Sequence, residues 1–259
     1  MNKYDLKDLI VQIKRRKNKK NNETEKNNEI SCLDCRYAAD EKLLEKYINF
    51  DNFRDKNYIY LISTLINSFY STRMGADRLY ATAIEFSDHG KFIEQILNQD
   101  RPLNNTQLDR IQKTLCQKLK LRKTEEKLRG EAKEFTSYSF ATKFLAIHSK
   151  YSSIGKKYVS LFPIYDGQVR TVIKKFKLNN IHTIKELVSK FKSENIKEWL
   201  SFYQYCTDNN IKTICLEDYT QFYKLMSLLS FVTELNFSQL DNLFWKLGDK
   251  IQKQEKENA

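Results

Sequence analysis

Ser137-Tyr138-Ser139-Phe140-Ala141-Thr142-Lys143-Phe144-Leu145 is the stretch on which the fold and the chemistry both turn. With Ile147 behind it, its apolar spacing predicts a compact helix over 137–148. Thr136 or Ser137 is placed to cap that helix, leaving early N–H groups available to an anion. At about 100° per residue, Lys143 falls about 60° from Phe140 and about 40° from Ile147, at the rim of the apolar face. Partial desolvation there favours the neutral amine that a nucleophilic lysine needs. The same position also suits a surface lysine that lays its stem along apolar neighbours.

Working outward, the fold class is all-α. Six glycines and two prolines in 259 residues leave little material for the turns of a β-rich chain. Tyr58 to Ile66 is apolar on nearly every side and predicts a central buried helix, running on toward Arg73 and stopped by Gly75. Leu79, Ala83 and Phe86 mark a helix over 76–86, and Phe92, Ile93, Ile96 and Leu97 the next. Asn105-Thr106 is the expected cap of another, with Leu108, Ile111 and Leu115 inward. The charged run from Lys118 to Lys127 suggests a solvated helix or link. Tyr158 to Tyr165, with Pro163, reads as extended chain. Asp166-Gly167 opens a helix carrying Val169, Val172, Ile173 and Phe176. Further helices are expected near 183–192, 195–207, 217–231 and 237–252, with Gly248 interrupting the last near its end.

Charge speaks to partners. Lys and Arg total 45 against 33 acidic residues, a net +12 that attracts polyanions such as nucleic acid or an acidic membrane face. An AT-rich genome, which enriches Lys and Asn, gives the same excess without such a partner. At the N-terminus, Leu6, Leu9, Ile10 and Ile13 line one side of a short helix over 4–13. The basic run Lys14-Arg15-Arg16-Lys17-Asn18-Lys19-Lys20 and an Asn/Glu-rich stretch follow it. This run is either an arm on phosphates or a solvated terminus. No run of about 18 apolar residues and no signal-peptide pattern occurs, so a cytoplasmic protein without a membrane span is expected. Five cysteines, an odd number, fit a reducing compartment. Cys32 and Cys35 form a lone C-x-x-C, read as zinc or redox ligands or as ordinary thiols; zinc sites normally draw on four ligands.

Phe162-Pro163-Ile164-Tyr165-Asp166 supplies the second informative segment. An aspartate at a helix start accepts backbone N–H bonds, which keeps it ionised. Capping alone explains such a residue; facing a cleft would make it chemical. Taken together, the two segments resemble the helix-hairpin-helix DNA glycosylases, in their 8-oxoguanine DNA glycosylase-like branch. Asp166 follows Lys143 by 23 positions, close to the spacing in that superfamily. Leu61 to Arg73, continuing to Leu79-Tyr80, resembles the family's long helix and the turn that wedges into DNA. Leu243-Phe244-Trp245-Lys246-Leu247-Gly248 resembles the end of that branch. The resemblance covers roughly residues 57–250.

It implies two helical halves with a cleft between them. A helical half joins 31–56 to 160–259, and a barrel half over 57–149 ends in the hairpin helix with Lys143. Ahead of both lies a basic, flexible extension over 1–30. It also implies a bifunctional DNA glycosylase and AP lyase. Lys143 attacks the sugar of a flipped nucleotide and Asp166 assists. Thr136, Ser137, Ser139, Asn67, Phe69, Tyr70 and Arg73 meet the DNA. Tyr138, Phe144 and His148 are pocket-wall candidates by nearness to Lys143. A monomer acting on double-stranded DNA without a cofactor or metal is expected. The hairpin departs from the family pattern: Phe135 to Ser139 contains no glycine, where close approach to a phosphate normally uses one. The four-cysteine iron–sulfur pattern of some relatives is missing too. Two other readings keep the fold and the charge. One is a non-catalytic helical DNA-binding module; the other is an interaction subunit of a defence or stress system.

Overall fold

The computed structural model describes residues 8–15, 44, 46–48, 52–69, 74–99, 101–120, 134–151, 161–191 and 196–257. Over these the chain is helical in the main, as its composition implies, and it divides into two compact units. One joins 1–34 to 163–259; the other is 35–162.

The 35–162 unit contains α1 (Lys56–Phe69), α2 (Ala76–Asp88), α3 (Gly90–Leu97), α4 (Asn105–Thr114) and α5 (Tyr138–Tyr151). A short antiparallel pair, β1 (Lys118–Lys120) and β2 (Glu134–Thr136), precedes α5. Helix α1 is amphipathic rather than buried all round. Ile59, Ile62, Ser63 and Ile66 are buried, whereas Leu61 is 50% exposed and Tyr60 packs edge-on against Tyr80 of α2. It ends at Phe69, and Gly75 is the extended N-cap residue of α2 instead of the stop of α1. The helix dry on every side is α5: every residue from Ala141 to Lys150 is buried. It packs against α1 and α3.

Helix α4 begins one residue earlier than its Asn-Thr pair suggests. Asn104 is the N-cap in a reciprocal capping box with Gln107, and Leu108, Ile111 and Leu115 are buried as expected. The strands correct the reading of 118–127 as a helix or link, at least over 118–120. Leu119 pairs with Phe135, and both are buried between charged or polar flanks. Three residues of alternation are too few to stand out in so lysine-rich a stretch. Asn52 to Asp55 belongs with this unit and not with the C-terminal helices. Phe53 stacks edge-on with Phe144 and His148, and Gly90 makes room for it, since a Cβ there would lie 2.2 Å from the Phe53 carbonyl.

The other unit contains α6 (Gly167–Lys175), α7 (Ile181–Lys190), α8 (Ile196–Asp208), α9 (Tyr219–Thr233) and α10 (Phe237–Glu257). Asn180 and Asp218 cap α7 and α9, and Glu234 takes the left-handed conformation that closes α9. Residues 8–15 are helical, with Leu9, Ile10 and Ile13 buried. The apolar stripe read at the N-terminus therefore outweighs the expectation of a flexible extension over 1–30 there. Arg16 to Lys20, Cys32 and Cys35 lie outside the described residues.

The tightest packing in this unit is α6 against α10. Gly248 does not interrupt α10, which runs on to Glu257. It is buried where α6 crosses, and a Cβ there would lie 2.7 Å from the Gln168 carbonyl. Around the contact, Gln168 Nε2 donates to Gln252 Oε1 at 3.2 Å, Gln252 Nε2 donates to Thr171 Oγ1 at 3.4 Å, and Lys175 pairs with Glu255. Alanine improves intrinsic helix propensity by about 1 kcal/mol, but overpacking a close backbone contact costs about 1–3 kcal/mol. Gly248→Ala is therefore expected to lower stability, measured by urea unfolding. A variant as stable as the parent would show that α10 has room to move.

Candidate active site

Lys143 is carried by α5, and the junction before that helix is tied from several sides. Ser137 Oγ donates to the Leu115 carbonyl at 2.7 Å, and the Ser137 carbonyl accepts Ala141 N–H at 2.7 Å. Thr136 Oγ1 accepts from Tyr138 N–H at 3.3 Å. Of the three hairpin residues expected to meet phosphate, Thr136 is exposed and Ser139 half-buried, while Ser137 is fully buried. Its hydroxyl holds the turn to the end of α4, which withdraws it as a phosphate donor. With no glycine in the turn, inward serine bonding takes over the task of shaping it.

Lys143 is 7% exposed. Its helix carries an aromatic cluster on the neighbouring side. Phe144 lies 5.0 Å from Phe86 and 4.0 Å from His148, ring centre to ring centre, and Phe140 lies 6.1 Å from Phe86. Phe144 and His148 sit about 100° and about 140° around the helix from Lys143. They are core residues of the α2, α5 and Phe53 cluster, not a wall beside the lysine. Tyr138 is also buried. His148 Nδ1 is 2.7 Å from the Phe144 carbonyl, and burial pushes its pKa down from 6.5 to about 4, an effect that bond only partly offsets.

Asp166 sits in the other unit, where it does what its sequence position implies. Its Oδ1 accepts from Gln168 N–H at 2.9 Å and Val169 N–H at 3.0 Å, capping α6. Phe162, Pro163, Ile164 and Tyr165 before it are buried and non-helical. Burial, with Glu217 next, raises the pKa of the Tyr165 phenol, whose hydroxyl donates to Glu217 at 3.4 Å.

Among the residues expected at the wedge, Asn67 proves to be a clamp. Its amide donates to the Met74 carbonyl at 3.1 Å and its Oδ1 accepts Met74 N–H at 2.9 Å. Phe69 is the last residue of α1, and Tyr70 and Arg73 lie outside the described residues. A residue the motif reading passed over is Lys150, buried on the same helix as Lys143. Its signal was the seven-residue interval.

Comparison with known proteins finds no matching family model, no matching curated protein and no matching solved structure. Among the described residues, no helix is long and apolar enough to cross a membrane.

His148 gives the site's helix a pH dependence. Its folded pKa lies below the unfolded one, so its contribution to stability is fully present above about 6.5 and is lost as pH falls toward about 4. At about 1.4 kcal/mol per unit, the full loss is on the order of 3 kcal/mol. Unfolding free energies from pH 7.5 to 4.5 should fall more steeply for the parent than for His148→Phe, which keeps a ring between Phe53 and Phe144. Parallel profiles would show that His148 does not have to charge on unfolding.

Proposed function

We propose that this chain is a bifunctional DNA glycosylase and AP lyase of the helix-hairpin-helix type, acting on a flipped, 8-oxoguanine-like base. The observation that carries the reading is the burial of Lys143 on a helix that is dry on all sides. A lysine is almost never withdrawn from water to this degree without a specific task or partner. The resemblance of its surrounding motif to a family with a nucleophilic lysine supplies that task.

In this reading the neutral Lys143 amine forms a bond to C1′ of the extruded nucleotide as the C1′–base bond breaks. The base leaves with a proton, and the sugar opens to a Schiff base. Loss of a C2′ proton then breaks the C3′–O bond and cuts the strand on the 3′ side. Asp166 stabilises the positive charge growing on the sugar, or moves the lysine's proton. This role requires the α6 cap to come within reach of Lys143, directly or through one water. The net charge of +12 supports a polyanionic partner.

The test is borohydride trapping on duplexes carrying oxidised guanine, other damaged bases or an abasic site. The parent should give a covalent adduct with one of them. Lys143→Gln should give none while keeping DNA affinity. Asp166→Asn should slow single-turnover cleavage by about 10²-fold or more. It should cost less than about 1 kcal/mol of stability, because asparagine caps helices as well as aspartate does. Affinity without any adduct would point instead to a non-catalytic DNA-binding module, and absence of both to an interaction subunit.

A further inference from the structure

Among the described residues, the Lys, Arg, Asp and Glu side chains in the buried class are Lys143, at 7% exposure, and Lys150, at 9%. Lysines elsewhere lie in water: the side chains of Lys113 and Lys253 are 72% and 70% exposed. Both buried lysines belong to α5. Seven residues make two helical turns less about 20°, so the two share one face and are separated by about 10 Å along the axis. Between them on that face are Ala146 and Ile147, and Ser139 lies one turn before Lys143.

The surroundings add to the positive charge of this face. Neither α5 nor α1, which packs against it, contains an Asp or Glu. The other helix on α5, α3, contributes Glu94, which pairs with Arg54 at 3.2 Å. Two cations in one register, flanked by alanine and serine rather than by carboxylates, form a line suited to an anionic strand.

We infer that Lys150 is a phosphate-binding residue on the face that bears Lys143, holding a phosphodiester of the strand whose sugar Lys143 attacks. This inference rests on the function proposed above for the role of Lys143. A separation of about 10 Å corresponds to about three nucleotide steps of B-form rise, so a phosphate near the target nucleotide falls within reach of the second lysine. Lys150 touches no reacting atom. It holds the strand in register and leaves the bond-making to Lys143. A purely structural alternative exists, because a cation in the last turn of a helix also complements the helix dipole.

The experiment separates these roles. Affinity of the full chain for a duplex with a stable abasic-site analogue is measured by fluorescence anisotropy over a salt series. The proteins are the parent, Lys150→Met, Lys150→Gln and Lys150→Arg. Replacing a buried charge by an apolar side chain of similar volume is often neutral or stabilising, so Lys150→Met is expected to fold. It should reduce the slope of log K against log salt by about 0.9, and Lys150→Arg should retain the slope. At saturating DNA, Lys150→Met should trap at the parent's rate while needing more DNA for half-saturation. Unchanged slopes in folded neutral variants, or failure of both neutral variants to fold, would overturn the inference and make Lys150 a structural cation. A parent whose slope depends on Lys150 but which gives no adduct would keep the phosphate site and remove the nucleophile. A parent without DNA affinity would overturn both.

Discussion

A helix that is dry on every side has to carry its polar groups inward with it, and the 35–162 unit is organised around one that does. Most of the polar side chains of α5 are satisfied by its own backbone. Thr142 Oγ1 donates to the Ser139 carbonyl, Ser149 Oγ donates to the Ala146 carbonyl, and His148 Nδ1 meets the Phe144 carbonyl. Hydroxyls and imidazoles bond back to carbonyls three or four residues earlier at little cost, so they are tolerated in a buried helix. Ammonium groups are different. Each has three donors and a full charge, more than one carbonyl can answer. The burial of Lys143 and Lys150 is thus the feature of this helix that packing alone does not account for.

The other unit depends on a close approach of backbones. Gly248 lets α10 lie against the first turn of α6, where Gln168 and Val169 present their N–H groups to Asp166. The carboxylate is therefore fixed at two levels. Its own cap bonds set its rotamer, and the α6–α10 contact sets the helix that bears it. Leu240, Leu243, Phe244 and Ile251 of α10 bury the rest of that face. A side chain at position 248 would push on the same turn that supplies the capping N–H groups.

Much of this was legible in the residues. The helices over 76–88 and 167–175 and most of those after 180 follow their apolar spacing, and the Asp166 cap follows from an aspartate between an apolar run and a helical stripe. What was not legible has physical causes. Tyr58 to Ile66 reads as more buried than 141–150 because hydropathy counts side chains one at a time. Leu61 nevertheless faces water, while lysine, histidine and serine on α5 are enclosed by neighbours far away in sequence. Ser137 and Asn67 are polar residues at turn positions, where the sequence does not tell an inward bond from an outward one. Both bond inward, to Leu115 and Met74. Lys150 stood out in no local motif. Only the shared burial of two lysines in one helical register singles it out.

The central claim is that the buried amine of Lys143 is the nucleophile, and the most direct measurement is the identity of the residue that becomes joined to DNA. The adduct formed by the parent protein with lesion-bearing duplex is reduced with borohydride, digested with protease and nuclease, and read by peptide mass spectrometry. The account predicts a single modified site, at Lys143. A nucleotide remnant mapped to any other lysine, or to the α-amino group, would contradict it.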